Sequence, residues 1–156
     1  MDATISEENA VKLTSVQQVL PIRVQGKLYA IDLSFVECVL PLMELHHVSG
    51  RMPYITGLMD YRGNNLVVID LGIWLGLDGI ESYYNLDTPI IVCGNGQTQV
   101  AFVANEVMQV EMVKPESVQL SNSFEESDSP FKASLNLSSG TVLLLDMKRF
   151  FNINFY

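Results

Sequence analysis

Apolar positions in this chain recur mostly with a period of two or in short runs, a pattern that predicts strands rather than helices. Residues 17–24 read as a strand whose Pro21 places it at an edge or a bulge. After a Gln25-Gly26 turn, residues 27–32 alternate, with Leu28, Ala30 and Asp32 on one face and Tyr29 and Ile31 on the other. Residues 33–40 suit one helical turn through Leu33, Val36 and Leu40 and a strand through Val39, and both readings stay open. Residues 41–52 are a connection, and residues 53–57 read as a helical turn. The stretch from Gly57 to Gly76 is the most legible. Arg62-Gly63-Asn64-Asn65 carries the Gly and Asn that a tight turn with φ > 0 demands. Leu66-Val67-Val68-Ile69 behind it is short, apolar and β-branched, as in a strand buried on both faces. Asp70 is placed to cap a helical turn over residues 71–75, with Leu71, Trp74 and Leu75 at i, i+3 and i+4 and Gly76 as the stop.

The second half reads in the same language. Residues 78–87 are a polar linker holding Tyr83-Tyr84. Two apolar runs, residues 89–93 and 98–104, flank Gly94-Asn95-Gly96-Gln97 and give the strongest hairpin signal in the chain. Residues 106–113 alternate and continue the sheet, and residues 114–130, rich in Ser and Glu, read as a solvated loop. A last hairpin spans residues 131–145 around Ser138-Ser139-Gly140, and a short helix closes the pattern over residues 146–151. There is also an internal echo. The run from Leu66 to Leu75 aligns with the run from Val142 to Phe151 when Asp70 is set on Asp146, and Tyr29-Ala30-Ile31 aligns with Val100-Ala101-Phe102. A period this long means a duplicated subdomain. The prediction is a mainly β chain folded as two small five-stranded barrels packed together, an arrangement that removes sheet edges.

Composition narrows what such a fold could do. The chain has 156 residues, 48% of them hydrophobic, and a formal net charge of −9. That charge argues against nucleic acid or an anionic membrane surface as primary partner. No apolar run approaches the roughly 18 residues of a membrane span, and residues 1–15, with Asp2, Glu7 and Glu8, lack the apolar core of a signal peptide. They read as a flexible lead. Cys38 and Cys93 lack a CxxC spacing and fit reduced thiols in a cytosolic protein. His46 and His47 are adjacent, so their side chains diverge and are poorly placed to share a metal. No metal or cofactor is expected. Asp70 and Glu37 are the only acid/base pair a hydrolase could use, yet Asp70 and its echo Asp146 share one simpler role, helix capping. A ligand-binding barrel would need a pocket of convergent polar groups, which the sequence does not signal. Arg62 stands apart: a long cation beside Gly63 at a hairpin tip can make bidentate contact with a partner carboxylate or pair internally with Asp60 or Glu37.

Pro53-Tyr54-Ile55-Thr56-Gly57, Arg62-Gly63 and Leu66-Val67-Val68-Ile69-Asp70-Leu71 together resemble the signature of the CheW family, adaptors of bacterial chemosensory arrays. The resemblance covers about residues 17–151. It implies two SH3-like barrels around a shared core, here residues 16–152, with interleaved subdomains over about 16–77 and 88–146 and a tail at 153–156. It further implies a non-catalytic, cytoplasmic, free-standing adaptor, recruited to receptor arrays and monomeric when free. Its partners would be the regulatory domain of a CheA-type histidine kinase and the cytoplasmic tip of a chemoreceptor, with the system flagellar, pilus-linked or of another output. Partner-binding residues carried over from the family motifs are Val36, Glu37, Cys38 and Val39, Gly57, Arg62 and Gly63, and Val107 and Val110 near the groove between barrels. This chain departs from the family pattern at Glu37, one place early, at Cys38 where the family has Glu, at Val67 where it has Pro, and at Asn105 where it has Asp.

Overall fold

The computed structural model describes residues 16–41, 43–47, 52–77, 87–119 and 129–152. The predicted lead over residues 1–15, the linker over residues 78–86, most of the Ser/Glu-rich stretch (residues 120–128) and the tail lie outside the described residues. Among the described residues, twelve strands and two short helices follow one another: β1 (Gln18–Val24), β2 (Lys27–Asp32), β3 (Val36–Pro41), β4 (Ile55–Tyr61), β5 (Asn64–Asp70), α1 (Leu71–Trp74), β6 (Pro89–Gly94), β7 (Gln99–Val103), β8 (Glu106–Val107), β9 (Glu111–Met112), β10 (Val118–Gln119), β11 (Phe131–Leu137), β12 (Gly140–Leu145) and α2 (Met147–Phe151). The fold is mainly β.

The strands form two sheets. One runs β3-β6-β7-β5-β4, the other β10-β11-β12-β2-β1-β8 with β9 also on β1. Both curl. In the first, Cys38 on edge strand β3 and Tyr61 on edge strand β4 meet, Sγ to hydroxyl 3.3 Å. The chain after β3 then completes the ring, because His46 exchanges backbone hydrogen bonds with Leu58 on β4 at 2.7 and 2.9 Å. Gly57 permits that approach, since a Cβ there would stand 2.8 Å from the His46 carbonyl oxygen. In the second sheet one bent segment does the closing, pairing with β1 through β8 and β9 and with β11 through β10. Seven strands are therefore a five-stranded barrel with one wall broken into three short pieces.

Each barrel takes one hairpin from each half of the chain. β1–β2 is joined by β11–β12 through the parallel pairing of β12 with β2, and β6–β7 by β4–β5 through the parallel pairing of β5 with β7. Three apolar cores result. Met59, Val68, Ile90, Val92 and Ala101 fill one barrel. Val19, Ala30, Ala133, Leu135 and Leu144 fill the other. Between the barrels, Ile22, Tyr29 and Ile31 meet Ile69, Ile91, Phe102, Leu71 and Phe150. The alternation of β2 explains this layout: Tyr29 and Ile31 enter the shared core while Ala30 enters its own barrel, so no face of the strand is left to water.

Several elements differ from their sequence reading. Residues 53–57 are not a helical turn: Pro53 and Tyr54 make the turn and β4 begins at Ile55. Residues 33–40 contain both alternatives in succession, a 3₁₀ turn over Leu33–Phe35 capped by Asp32 and then β3. The tight turn is confined to Arg62 and Gly63, with φ of 50° and 82°, while Asn64 and Asn65 already belong to β5. Residues 106–113 pair only at their two ends, and the expected loop after Val113 holds a 3₁₀ turn, Pro115–Ser117, and β10.

Candidate functional site

The β4–β5 turn, the β6–β7 turn and the start of β3 lie at the same end of the five-stranded barrel. A shallow cavity of about 510 Å³ sits among them, lined by Glu37, Asn64, Asn65, Leu66 and residues 96–99. Its lining side chains are amides, the Thr98 hydroxyl, Leu66 and a single carboxylate, Glu37.

Arg62 is displayed there by its turn. A side chain at φ 50° occupies the left-handed region that glycine and asparagine prefer, which costs of order 1 kcal/mol or more. Its guanidinium carbon lies 5.2 Å from the centroid of the Tyr61 ring, a cation–π contact along its own hairpin. The two internal partners weighed from sequence are engaged elsewhere. Asp60 faces His46 at 3.4 Å, and Glu37 Oε2 accepts from the Gln99 side-chain amide at 2.7 Å. Among the described residues no carboxylate comes within ion-pair reach of Arg62. The Cys38 hydrogen bond holds the Tyr61 hydroxyl above its usual range, with burial adding and Arg62 opposing.

Glu37 owes its position to a β-bulge. Val36 pairs with Cys93 and Cys38 with Val92, so Glu37 is the extra residue, and its side chain lies over Gly94 to reach Gln99 one strand further on. A Cβ at residue 94 would meet the Glu37 carboxylate, which would have to swing aside. The one-place shift of the acid in sequence thus coincides with a local rule of the fold that re-aims side chains. Cys38 is half-buried and turned toward the barrel interior; Cys93 is buried, and burial pushes its thiol up.

The expected residues do not form one cluster. Arg62, Gly63 and Glu37 gather at the barrel end just described, and Gly57 is buried at the closing bridge. Val36 and Val107 are half-buried and pack on the shared core from different barrels, while Val39 and Val110 are exposed. Sequence reasoning missed Tyr61, Asn64, Asn65 and Gln99; amides flanking two hairpin turns were the available signal.

The groups considered for catalysis are apart. Asp70 is only 3% exposed and caps α1, its Oδ1 accepting from the Ile73 N–H at 3.2 Å. Glu37 sits beside Asn64 at the other end of β5, roughly 20 Å away at strand rise. Asp146 caps α2 in the same manner, accepting from the Lys148 N–H at 3.3 Å. Among the described residues no three His, Cys, Asp or Glu side chains converge on a metal-sized space, and no helix is long and apolar enough to cross a membrane.

Residues 18–154 match the family model described as CheW-like domain. Over 126 residues the chain is 23% identical to chemotaxis protein CheV3 of Helicobacter pylori (strain ATCC 700392 / 26695), covering 78% of this chain and 40% of that protein. The chain thus spans less than half the length of this curated relative. The crystal structure of scaffolding protein TtCheW from Thermoanaerobacter tengcongensis superposes with a TM-score of 0.76 at 17% identity, covering 88% of this chain and 94% of the other. That likeness shows the fold.

Proposed function

The chain belongs to the CheW-like domain family, and on that footing we propose that it is a non-catalytic scaffold of a bacterial chemosensory system, coupling the cytoplasmic tip of a chemoreceptor to the regulatory domain of a CheA-type histidine kinase. The observation that carries the kinase half is Arg62: a cation held in a strained turn, unpaired with any described carboxylate, at a barrel end lined by amides. A partner carboxylate there gains a planar two-pronged donor. For the receptor half, the apolar margin between the barrels, with Val36 and Val107 half-buried on the shared core and Val110 exposed, suits an amphipathic helix laid in a groove. Each contact is modest and reversible, and assembly gains by avidity; receptor state then passes on as a shift in the populations of the assembled complex. The scaffold acts in the cytoplasm, at receptor arrays.

Calorimetric titration with the kinase regulatory domain from the same genome tests this, with Arg62→Glu alongside. Micromolar binding weakened at least tenfold by the variant, with the circular dichroism unchanged, is expected. Absence of binding to every kinase of this type that the genome encodes removes the coupling role.

A further inference from the structure

Each half of the chain is left incomplete by the fold, and each lacks the same thing. Residues 16–77 bring β1–β2 to one barrel and β4–β5 to the other; residues 87–152 bring β11–β12 and β6–β7. The strand seams between halves are the two parallel pairings together with the antiparallel pairings of β3 with β6 and of β1 with β8 and β9. Tyr29 and Ala30 lie opposite Leu143 and Leu144, and Val68, Ile69 and Asp70 lie opposite Ala101, Phe102 and Val103. All three apolar cores draw on both halves: Met59 and Val68 pack with Ile90 and Ala101, and Val19 and Ala30 with Leu135 and Leu144. In the shared core the Trp74 and Phe150 rings stand 4.4 Å apart, one from each half. A half alone would leave Ile31, Met59 and Ile69, all fully buried, in water. The two halves thus relate to each other as the subunits of an obligate dimer do, joined through residues 78–86.

We infer that this half-to-half surface also takes a second copy of the chain. The first half of one copy seats on the second half of another, and the remaining halves do the same, giving a chain-exchanged dimer. Every seam and core contact described above is preserved, because each runs between halves and is indifferent to which copy supplies them. What favours the single-chain form is the effective concentration that the link provides, so the exchanged form grows as protein concentration rises. Its consequence is bivalency: two complete copies of every exposed face on one particle, including both Arg62 turns. The inference does not depend on the partners proposed above.

The test uses the full chain with a specific protease site inserted after Gly79, in isotope-labelled and unlabelled forms. The two are unfolded together in urea, refolded at increasing concentration and separated by size exclusion with light scattering. A dimer fraction that grows with refolding concentration is expected. Cleavage should convert that fraction to monomer-sized particles, many of which pair a half of one label with a half of the other by native mass spectrometry. A monomer fraction cleaved in parallel should give same-label pairs. Four results overturn the inference: monomer at every concentration, a dimer that survives cleavage, only same-label pairs from the cleaved dimer, or cleaved halves that separate.

Discussion

The β4–β5 and β11–β12 hairpins of the two barrels agree down to single backbone hydrogen bonds and then part at their turns. Both second hairpins open with a bulge, between Ile55 and Gly57 in one and between Phe131 and Ala133 in the other. Both anchor the capping aspartate in the same way, Asp70 N–H donating to Tyr54 O and Asp146 N–H to Pro130 O, each at 2.8 Å. At the equivalent turns they diverge. Ser138 and Ser139 are clasped by Glu111, whose Oε1 accepts from the Ser138 N–H at 3.0 Å and its hydroxyl at 2.5 Å, while Oε2 accepts from the Ser139 hydroxyl at 3.3 Å. Those bonds, led by the Ser138 hydroxyl, hold the Glu111 carboxyl below its usual range. Arg62-Gly63 has no such clasp among the described residues and displays a cation in a strained conformation. One barrel end is tied shut by the chain itself and the other is presented. The scaffold is common to both; specialisation lies on a turn.

The comparison can be broken or sharpened in order of effect. Phe150 packs on Trp74 and on Phe102 at the centre of the shared core. Phe150→Ala should cost about 3–5 kcal/mol and lower the stability of both barrels in one cooperative urea transition; two separated transitions would mean the barrels are independent. Met59 and Leu135 occupy equivalent interior places, 0% and 1% exposed. Their alanine variants should each lose about 2–5 kcal/mol and match each other closely, and a large disparity would deny the equivalence. The caps should differ. Asp70→Ala removes a 3% exposed carboxylate and should cost up to about 2 kcal/mol, against about 1 for Asp146→Ala, whose side chain is 27% exposed. At the divergent turn the sign reverses. Arg62→Asn relieves left-handed strain and should raise stability by up to about 1 kcal/mol while weakening kinase binding.

The smallest effect is pH dependence. The folded carboxyl of Glu111 lies below its ordinary 4.5, so its contribution is complete above that value and is lost as pH falls through the folded value. Urea midpoints measured down the acid range should fall less steeply for Glu111→Gln than for the parent. Identical slopes would mean the clasp does not persist in solution.

Local chemistry was legible where one residue decides one element. Asp70 and Asp146 were readable as caps, and the faces of β2 followed from alternation alone, because burial on both sides still sorts odd from even positions. The start of β4 was hidden because its bulge breaks the alternation just after Pro53-Tyr54. β10, two residues long, offers no period to detect. The halves' reciprocal exchange was only half visible: an echo in sequence announces two copies, but pattern says which residues form strands and not which strands pair. The site divided the same way. Arg62 was legible from its glycine neighbour, whereas the release of Asp60 and Glu37 to other partners depends on His46 and Gln99, distant in sequence and brought near only by barrel closure. Glu111, 27 residues from Ser138, gave no signal at all.

The most direct measurement is calorimetric titration of the kinase regulatory domain against three proteins: the parent, Arg62→Glu and Ser138→Glu. The presented turn and the clasped turn occupy equivalent places, so the same acidic side chain is placed at each. The account predicts that Arg62→Glu raises Kd at least tenfold and that Ser138→Glu leaves it within twofold, both proteins remaining folded. Equal losses at the two turns, or a loss confined to Ser138→Glu, would contradict it.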